Sequence, residues 1–391
     1  FPRYMDKLVR PVPIESNFVK HLADHLNAEV VGGTVSNLRE ASRWLTYTYL
    51  YIRMLRNPLA YGINADQKAD DPTLRRRCLE LVTEAAKQLD ANKMIRAELK
   101  SGNLSAVNHG RVAASFYIQS ESIATFNELL AAPTLSDASL CRIICSATEF
   151  NNMKLRQEEM DELQKLEASS CPFPLEGAGK DDSGRRLVTD SVDKAFILLQ
   201  SYISRAKLKS FTLISDTNYI ASNAGRVARA LFEICLRQQK AGATTKLIRI
   251  AKSVGNQSWW FRTPLRQFHD ELGESVLVAL ENALAPSKST ERYDTFDRLV
   301  TLLDMLPEEV GQMGRCNKQG GAKIQRLVGM LPKLHIDCTV KPITGNVLRF
   351  QVHLEADFEW NGRWHGGAQV FWFWVEDGDS NKIQHHEQFI L

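Results

Sequence analysis

The sequence predicts a multidomain, mainly α chain: a winged helix, a helical bundle, a helix-loop-helix unit and a partial fibronectin type III-like β-sandwich. Three observations predict it. Within residues 36–115, two helical patterns are followed by a short hairpin signal, the order of elements in a winged helix. From Ser120 to Leu284 apolar residues recur at helical spacing almost without interruption. From Leu334 the pattern alternates with period two and turn residues separate the runs, as in half-buried strands. The 391 residues suit about two to four domains.

Taken in order, residues 1–35 read as a linker, with the punctuation "PVPIES" and "GGTV" around one short helix. Ser36 is positioned to cap a long helix that Pro58 stops after Asn57. Pro72 opens a second helix, and "MIRAELKSGNLSAV" has two short runs about a Ser-Gly turn, a hairpin signal. "NHGRVAASFYI" returns to helix. The bundle, residues 116–285, is interrupted by Ser169–Arg186, rich in Gly, Pro, Ser and charge, which reads as a flexible surface loop. Residues 286–333 form a helix-loop-helix with a glycine-rich connection, whose helix N-termini and backbone N–H groups suit a phosphate; Arg315 and Lys323 flank it. Residues 334–391 supply about four strands where an immunoglobulin-like sandwich needs about seven. The β domain is therefore expected to be incomplete. The chain begins at Phe1, and is read as a piece of a longer protein.

Several chemistries are excluded. "GAGK" fails as a nucleotide loop, because Pro174 stands where the first glycine is required and Asp181 follows Lys180. No HExxH or GxSxG pattern is present. His385 and His386 are adjacent on a strand and point to opposite faces. "EEMDEL", Glu158 to Leu163, looks like a solvated acidic helix face. The seven cysteines are odd in number and mostly in apolar settings, which favours reduced thiols inside the cell. Cys141 and Cys145 share a helix face but find no second pair of ligands, so core packing is the better reading than zinc. No catalytic residue, metal site or cofactor site is expected in this chain, and no run is apolar enough to span a membrane.

The net charge is only +3, yet it is unevenly spread. Between Arg205 and Arg266 twelve Lys and Arg side chains face only Asp216 and Glu233. Such an excess points to a polyanion partner. Within it lies "SNAGRVARALFEICLRQQK", Ser222 to Lys240, a helical pattern. On a helical wheel Arg226, Arg229, Glu233, Arg237 and Lys240 fall in one narrow stripe. Val227, Ala228, Leu231, Phe232, Ile234, Cys235 and Leu236 fill a buried arc of about 200°. Salt bridges at i,i+4 contribute only about 0.2–0.5 kcal/mol each, too little to account for this seam. Arginines one turn apart suit an extended single strand. "SWWFRTPLRQF" mixes aromatics with arginine, a pattern suited to base stacking, although core tryptophans are the commoner reading. Arg75, Arg76 and Arg77 are consecutive and fan round their helix, which argues against a DNA-reading face.

These residues carry a resemblance. "HLNAEVVGGTVSNLREASRWLTYTYLYIRMLRNPLAYGI" resembles the winged-helix start that follows the motor domains in Ski-two-like helicases of superfamily two. "SATEFNNMKLRQEEMDELQKL", "NAGRVARALFEICL", "TPLRQF", "KPITGNVLRF" and "DFEWNGRWHG" are similar to the Sec-homology region of that family. The likeness covers nearly the whole chain. "RNPLAYGI", "DPTLR" and "MIRAE" resemble the N-terminal cassette of members in a transcription cointegrator and ribosome quality control complex more than the spliceosomal members.

The resemblance implies that residues 1–35 link to an upstream motor that uses ATP and magnesium. The chain is then an accessory cassette of a 3′-to-5′ RNA helicase, intracellular, in the cytoplasm on ribosomes and in the nucleus. Its implied partners are single-stranded RNA or DNA, the motor domains of the same chain, subunits of the cointegrator or quality control complex, and the ribosome. The family's ratchet helix matches Asn223, Arg226 and Arg229; Arg237, Lys240, Arg315 and Lys323 complete the expected contacts. Lys240 stands where related sequences often carry tryptophan. A protein-docking scaffold without nucleic-acid contact is the reading from another class.

Overall fold

The computed structural model describes residues 14–175, 186–285, 295–345 and 347–390, together with 4, 5, 9, 179 and 184. The first helix, α1 (Leu22–Gly32), buries Leu22, Leu26 and Val30 on one face and ends at Gly33 in the left-handed region. It packs against the helices Arg75–Ala91 and Asn108–Phe116, so part of the segment expected as a linker is core. The expected single helix from Ser36 to Asn57 is two: α2 (Leu38–Leu45) and α3 (Tyr49–Arg56). The break has a local cause. The hydroxyls of Thr46 and Thr48 donate to the carbonyls of Arg43 and Leu45, and Thr48 then caps α3. The cap of α2 is Asn37, not Ser36. Its side chain accepts from the Glu40 N–H, while the Glu40 carboxylate accepts from the Ser36 N–H. α4 (Arg75–Ala91) begins three residues after Pro72, where Asp71 accepts from the backbone N–H groups of Arg75 and Arg76.

β1 (Ile95–Glu98) and β2 (Asn103–Ala106) form the predicted antiparallel hairpin. Gly102 takes a positive φ at its turn. Reciprocal bonds, Leu38 N–H to Gly102 O and Leu104 N–H to Ser36 O, tie the hairpin to the start of α2. α5 (Asn108–Phe116) then lies so close to β1 that a Cβ on Gly110 would sit 2.1 Å from the Met94 carbonyl oxygen. Only glycine permits that approach.

The bundle comprises α6 (Ser120–Leu129), α7 (Asp137–Cys145), α8 (Met160–Ser170), α9 (Ser191–Ile203), α10 (Phe211–Arg237) and α11 (Ala241–Asn256). α10 is central and packs against α5, α7, α9 and α11. Cys141 and Cys145 are fully packed within it, and burial pushes both thiols up. Of the expected loop over Ser169–Arg186, Ser169 and Ser170 end α8, and 176–178, 180–183 and 185 lie outside the described residues. The acidic "EEMDEL" segment is solvated only in part: Glu158 and Asp161 are exposed, whereas Glu159 and Glu162 turn to partners inside the chain. Glu159 is buried and paired with the fully buried Lys194 at 2.6 Å. Lys194 also meets Asp216 of α10 at 2.6 Å and the Lys154 carbonyl at 3.0 Å. Glu162 accepts from the backbone N–H groups of Lys209 and Ser210, just before α10. The partners of Glu159 and Glu162 lie 35 and 47 residues away, beyond the reach of helical periodicity.

A second core joins α12 (Glu274–Ala283), α13 (Pro307–Met313) and α14 (Lys318–Gly329) through Leu277, Leu280, Val310, Ile324 and Leu327. The glycines of the connection belong to packing: a Cβ on Gly321 would lie 1.8 Å from the Pro307 carbonyl oxygen. The four expected strands are present as two separate antiparallel ladders, β3 (Leu334–Thr344) with β4 (Val347–Ala356), and β5 (Val370–Asp377) with β6 (Lys382–Ile390). In the first, Ile336/Leu354, Cys338/Val352 and Val340/Phe350 share one face, and polar pairs share the other. In the second, Trp372 meets Phe232 of α10 edge-on at 5.2 Å. No described helix is long and apolar enough to cross a membrane.

Candidate nucleic-acid interface on the long bundle helix

α10 has 27 residues, longer than the stretch Ser222–Lys240 that the sequence singled out. Its buried side includes Leu213, Ile220, Val227, Leu231, Phe232 and Cys235. The opposite side carries Ser215, Asn218, Ser222, Arg226, Arg229, Glu233 and Arg237 at helical spacings of three and four. This polar stripe is about 33 Å long at 1.5 Å per residue. Ser215, Asn218, Ser222 and Arg229 on it are exposed. The small polar residues of its first half were missed in the sequence because they carry no charge, although the same periodicity extends back through them.

Arg226 is partly sheltered and heavily engaged. Its Nε and Nη2 donate to the Asn223 side-chain oxygen at 3.1 and 2.8 Å. Its Nη1 donates to the carbonyls of Phe116 and Tyr117 at 3.0 and 2.6 Å. Of its five N–H donors, one on Nη2 stays outside these bonds. Arg226 therefore clamps the bundle to the end of α5. Asn223 in turn donates to the Tyr219 carbonyl at 2.8 Å. Arg229 is exposed, with only its Nε turned back to the Gly225 carbonyl at 3.1 Å.

Arg237 lies two turns further on, 2.7 Å from Glu233, so its charge is largely balanced. It stands near His109 and His386. His109 is half-buried and His386 exposed; partial desolvation first, with positive neighbours that include Lys93 at His109 and Arg237 at both, holds these imidazoles below the usual histidine range. Lys240 is not on the stripe. α10 ends at Arg237, Gln239 turns the chain with φ 60°, and the Lys240 ammonium donates to the Leu130 carbonyl at 2.6 Å. The wheel failed there because it assumed that the helix continued.

Lys323 and Arg315 sit in the second core's unit, away from the stripe. The Lys323 ammonium donates to the Glu271 carbonyl at 2.7 Å. Arg315 is exposed at a left-handed turn. The first-turn N–H of Gly320 is taken by the Asn317 side chain at 2.9 Å, so the cap already occupies a donor that a phosphate would need. In "SWWFRTPLRQF" the commoner reading holds. Trp259 is buried, stacks on Phe261 at 5.5 Å and donates to Ser204 at 2.8 Å. Arg266 is paired with Glu281 at 2.7 Å and Glu274 at 3.0 Å. The geometry thus gathers Asn223, Arg226 and Arg229 within two turns of α10, leaves Arg237 exposed but paired with Glu233 further along the same stripe, and places Lys240, Arg315 and Lys323 elsewhere.

Comparison with known proteins bears on what this long helix belongs to. A winged helix-turn-helix domain family, of the type in the U5 200 kDa helicase, matches residues 15–93. The Sec63 Brl domain family matches residues 106–391. The chain belongs to the winged-helix and Sec63 region of the Ski-two-like helicase family. Among its relatives, the mouse activating signal cointegrator 1 complex subunit 3 is 40% identical over 388 residues, 99% of this chain and 17% of the relative. The Arabidopsis thaliana DExH-box ATP-dependent RNA helicase DExH14 is 39% identical over the same shares. So is the human U5 small nuclear ribonucleoprotein 200 kDa helicase. The chain spans about a sixth of the length of these curated relatives. Within the Sec63 region, α10 is the helix that carries the exposed stripe, and the winged helix is fastened to it through Arg226.

Proposed function

We propose that the chain is the non-ATPase accessory cassette of an ATP-dependent, 3′-to-5′ RNA helicase, and that the stripe of α10 contacts the translocating strand. The observation that carries this reading is the Asn223–Arg226–Arg229 cluster. It sets an exposed guanidinium with no carboxylate partner among the described residues, that of Arg229, on a 27-residue helix whose opposite side is buried in the bundle. A translocating strand needs such a contact, because a charge on a mobile loop moves with the strand instead of resisting it. Arg226 positions the contact and Arg229 makes it. The motor domains, with ATP and magnesium, belong to the remainder of the same polypeptide. The setting we favour is ribosome-associated quality control in the cytoplasm, with cointegrator-complex subunits and the ribosome as partners. Unwinding of small nuclear RNAs is the corresponding spliceosomal reading.

The test is titration of the 391-residue chain with labelled oligouridine at several salt concentrations. One to two phosphate contacts give a log–log slope of about −0.7 to −1.4, and Arg229→Ala lowers its magnitude by about 0.7. Absence of binding at low salt, or an Arg229→Ala variant that matches the parent, refutes the reading. A scaffold role is favoured by a different observation, the exposed apolar face of the β3–β4 ladder, where Ile336, Val340, Leu348 and Phe350 are about half exposed. Binding of a partner protein together with no RNA affinity would select it.

A further inference from the structure

Tyr117 is the C-cap of α5 and holds a left-handed backbone, φ 53° and ψ 48°. Glycine or asparagine ordinarily occupies that position, because a Cβ there crowds the preceding carbonyl. The ring gains nothing inside the chain that would offset the strain: the residue is 84% exposed, whereas its neighbour Ile118 is 4% exposed and plugs the core. Its backbone, however, is fixed on both sides. Its N–H donates to the Ala113 carbonyl, and its own carbonyl takes the 2.6 Å bond from Arg226. A solvent-facing aromatic on a fixed backbone therefore projects from the same segment that the Asn223–Arg226 fork grips. On the other side of that fork, Tyr219 accepts from Asn223 through its carbonyl and is tethered by its hydroxyl, which donates to the Glu149 carbonyl at 2.9 Å. The residue is 41% exposed.

Resting on the strand-contact reading above, we propose that Tyr117 is a base-stacking platform: one nucleobase of a single strand lies on its ring, while the strand's backbone follows the stripe of α10 past Asn223 and Arg229. The chemistry is sequence-tolerant, since every base offers a π-face. It complements a phosphate contact, because stacking is insensitive to salt and the phosphate contact is not. The anchoring of Tyr117 through Arg226 sets the stacked base at a constant distance from the helix. The base then reports the register of the strand on α10.

The test uses the 391-residue chain and two probes, a labelled oligouridine and an abasic sugar-phosphate strand of equal length. Tyr117→Ala is expected to weaken oligouridine binding roughly 5- to 100-fold, to leave the salt slope unchanged, and to leave abasic binding unchanged. Tyr117→Trp keeps oligouridine affinity and has its fluorescence quenched on binding. Tyr117→Gly controls for folding: it relieves the strained backbone, raises the melting temperature and still weakens oligouridine binding. If Arg229→Ala lowers the slope as expected but Tyr117→Ala binds oligouridine like the parent, the stacking proposal falls and the strand contact stands. Equal loss on the abasic strand also overturns stacking. So does an unchanged RNA affinity with impaired docking of a motor-domain protein. If the parent binds neither strand at low salt, both readings fall together.

Discussion

Replacing Lys194 by methionine tests how α10 is held. The Lys194 ammonium is fully buried, 2.6 Å from Glu159, 2.6 Å from Asp216 and 3.0 Å from the Lys154 carbonyl. Methionine preserves the apolar stem and removes the charge. Glu159, itself buried, is then left with Arg156 at 2.7 Å, and Asp216 with the same arginine at 3.6 Å. Breaking a buried pair by removing one partner costs about 3–5 kcal/mol. Arg156 remains as a half-exposed counter-charge, so the expected loss lies at the lower end, about 3 kcal/mol. The assay is urea unfolding followed by hydrogen exchange at amides of α9 and α10. The first turns of α10, which contain Asp216, should exchange fastest. The triple variant Lys194→Met, Glu159→Gln, Asp216→Asn should recover most of the loss, because no uncompensated charge stays inside. A cost below about 1 kcal/mol, or a triple variant no better than the single, would refute the assignment of the cluster as the anchor of α10.

Three further predictions concern the same architecture. Arg226→Ala removes the bonds to Phe116 and Tyr117, and should speed hydrogen exchange around residues 116–118 and open that junction to proteolysis, while Arg229→Ala should do neither. Gly321→Ala drives a Cβ into the Pro307 carbonyl, and should destabilise the helix-loop-helix by about 1–3 kcal/mol or more, read as a lower urea midpoint for α13 and α14 with the bundle unaffected. Acid should destabilise the chain in two windows: the half-buried His109 is held below 6.5 chiefly by burial, so the unfolded chain protonates first and stability present above 6.5 declines below it. At Glu159 and Glu281 burial raises the carboxyls, but bonds from Lys194 and Arg266 outweigh it and leave them lowered from 4.5; their contribution is complete above 4.5 and fades below it, and thermal melts across this range check both windows.

The readable parts of the sequence were those governed by neighbours along the chain. The hairpin after α4 was visible because alternation and a Ser-Gly turn are local, and the turn glycine does take a positive φ. The burial of Val227, Leu231, Phe232 and Cys235 followed from periodicity alone. The break between α2 and α3 was hidden because threonine hydroxyls that bond the preceding turn leave no mark in an apolar pattern. The start of the stripe, at Ser215 and Asn218, was hidden because uncharged side chains add nothing to a charge pattern.

The sequence by itself determined which residues could lie on the exposed face of α10, since helical geometry follows from spacing. It also determined the family, through motifs that cover nearly the whole chain. Only the tertiary structure decided what each charge on that face is free to do. Arg226 is committed to carbonyls 109 and 110 residues away, Lys240 to Leu130 and Lys323 to Glu271, whereas Arg229 keeps its guanidinium in solvent. The physical reason is that hydrogen bonds are short and directional. A side chain's partners are set by where distant segments come to rest, and no periodicity along one helix records that.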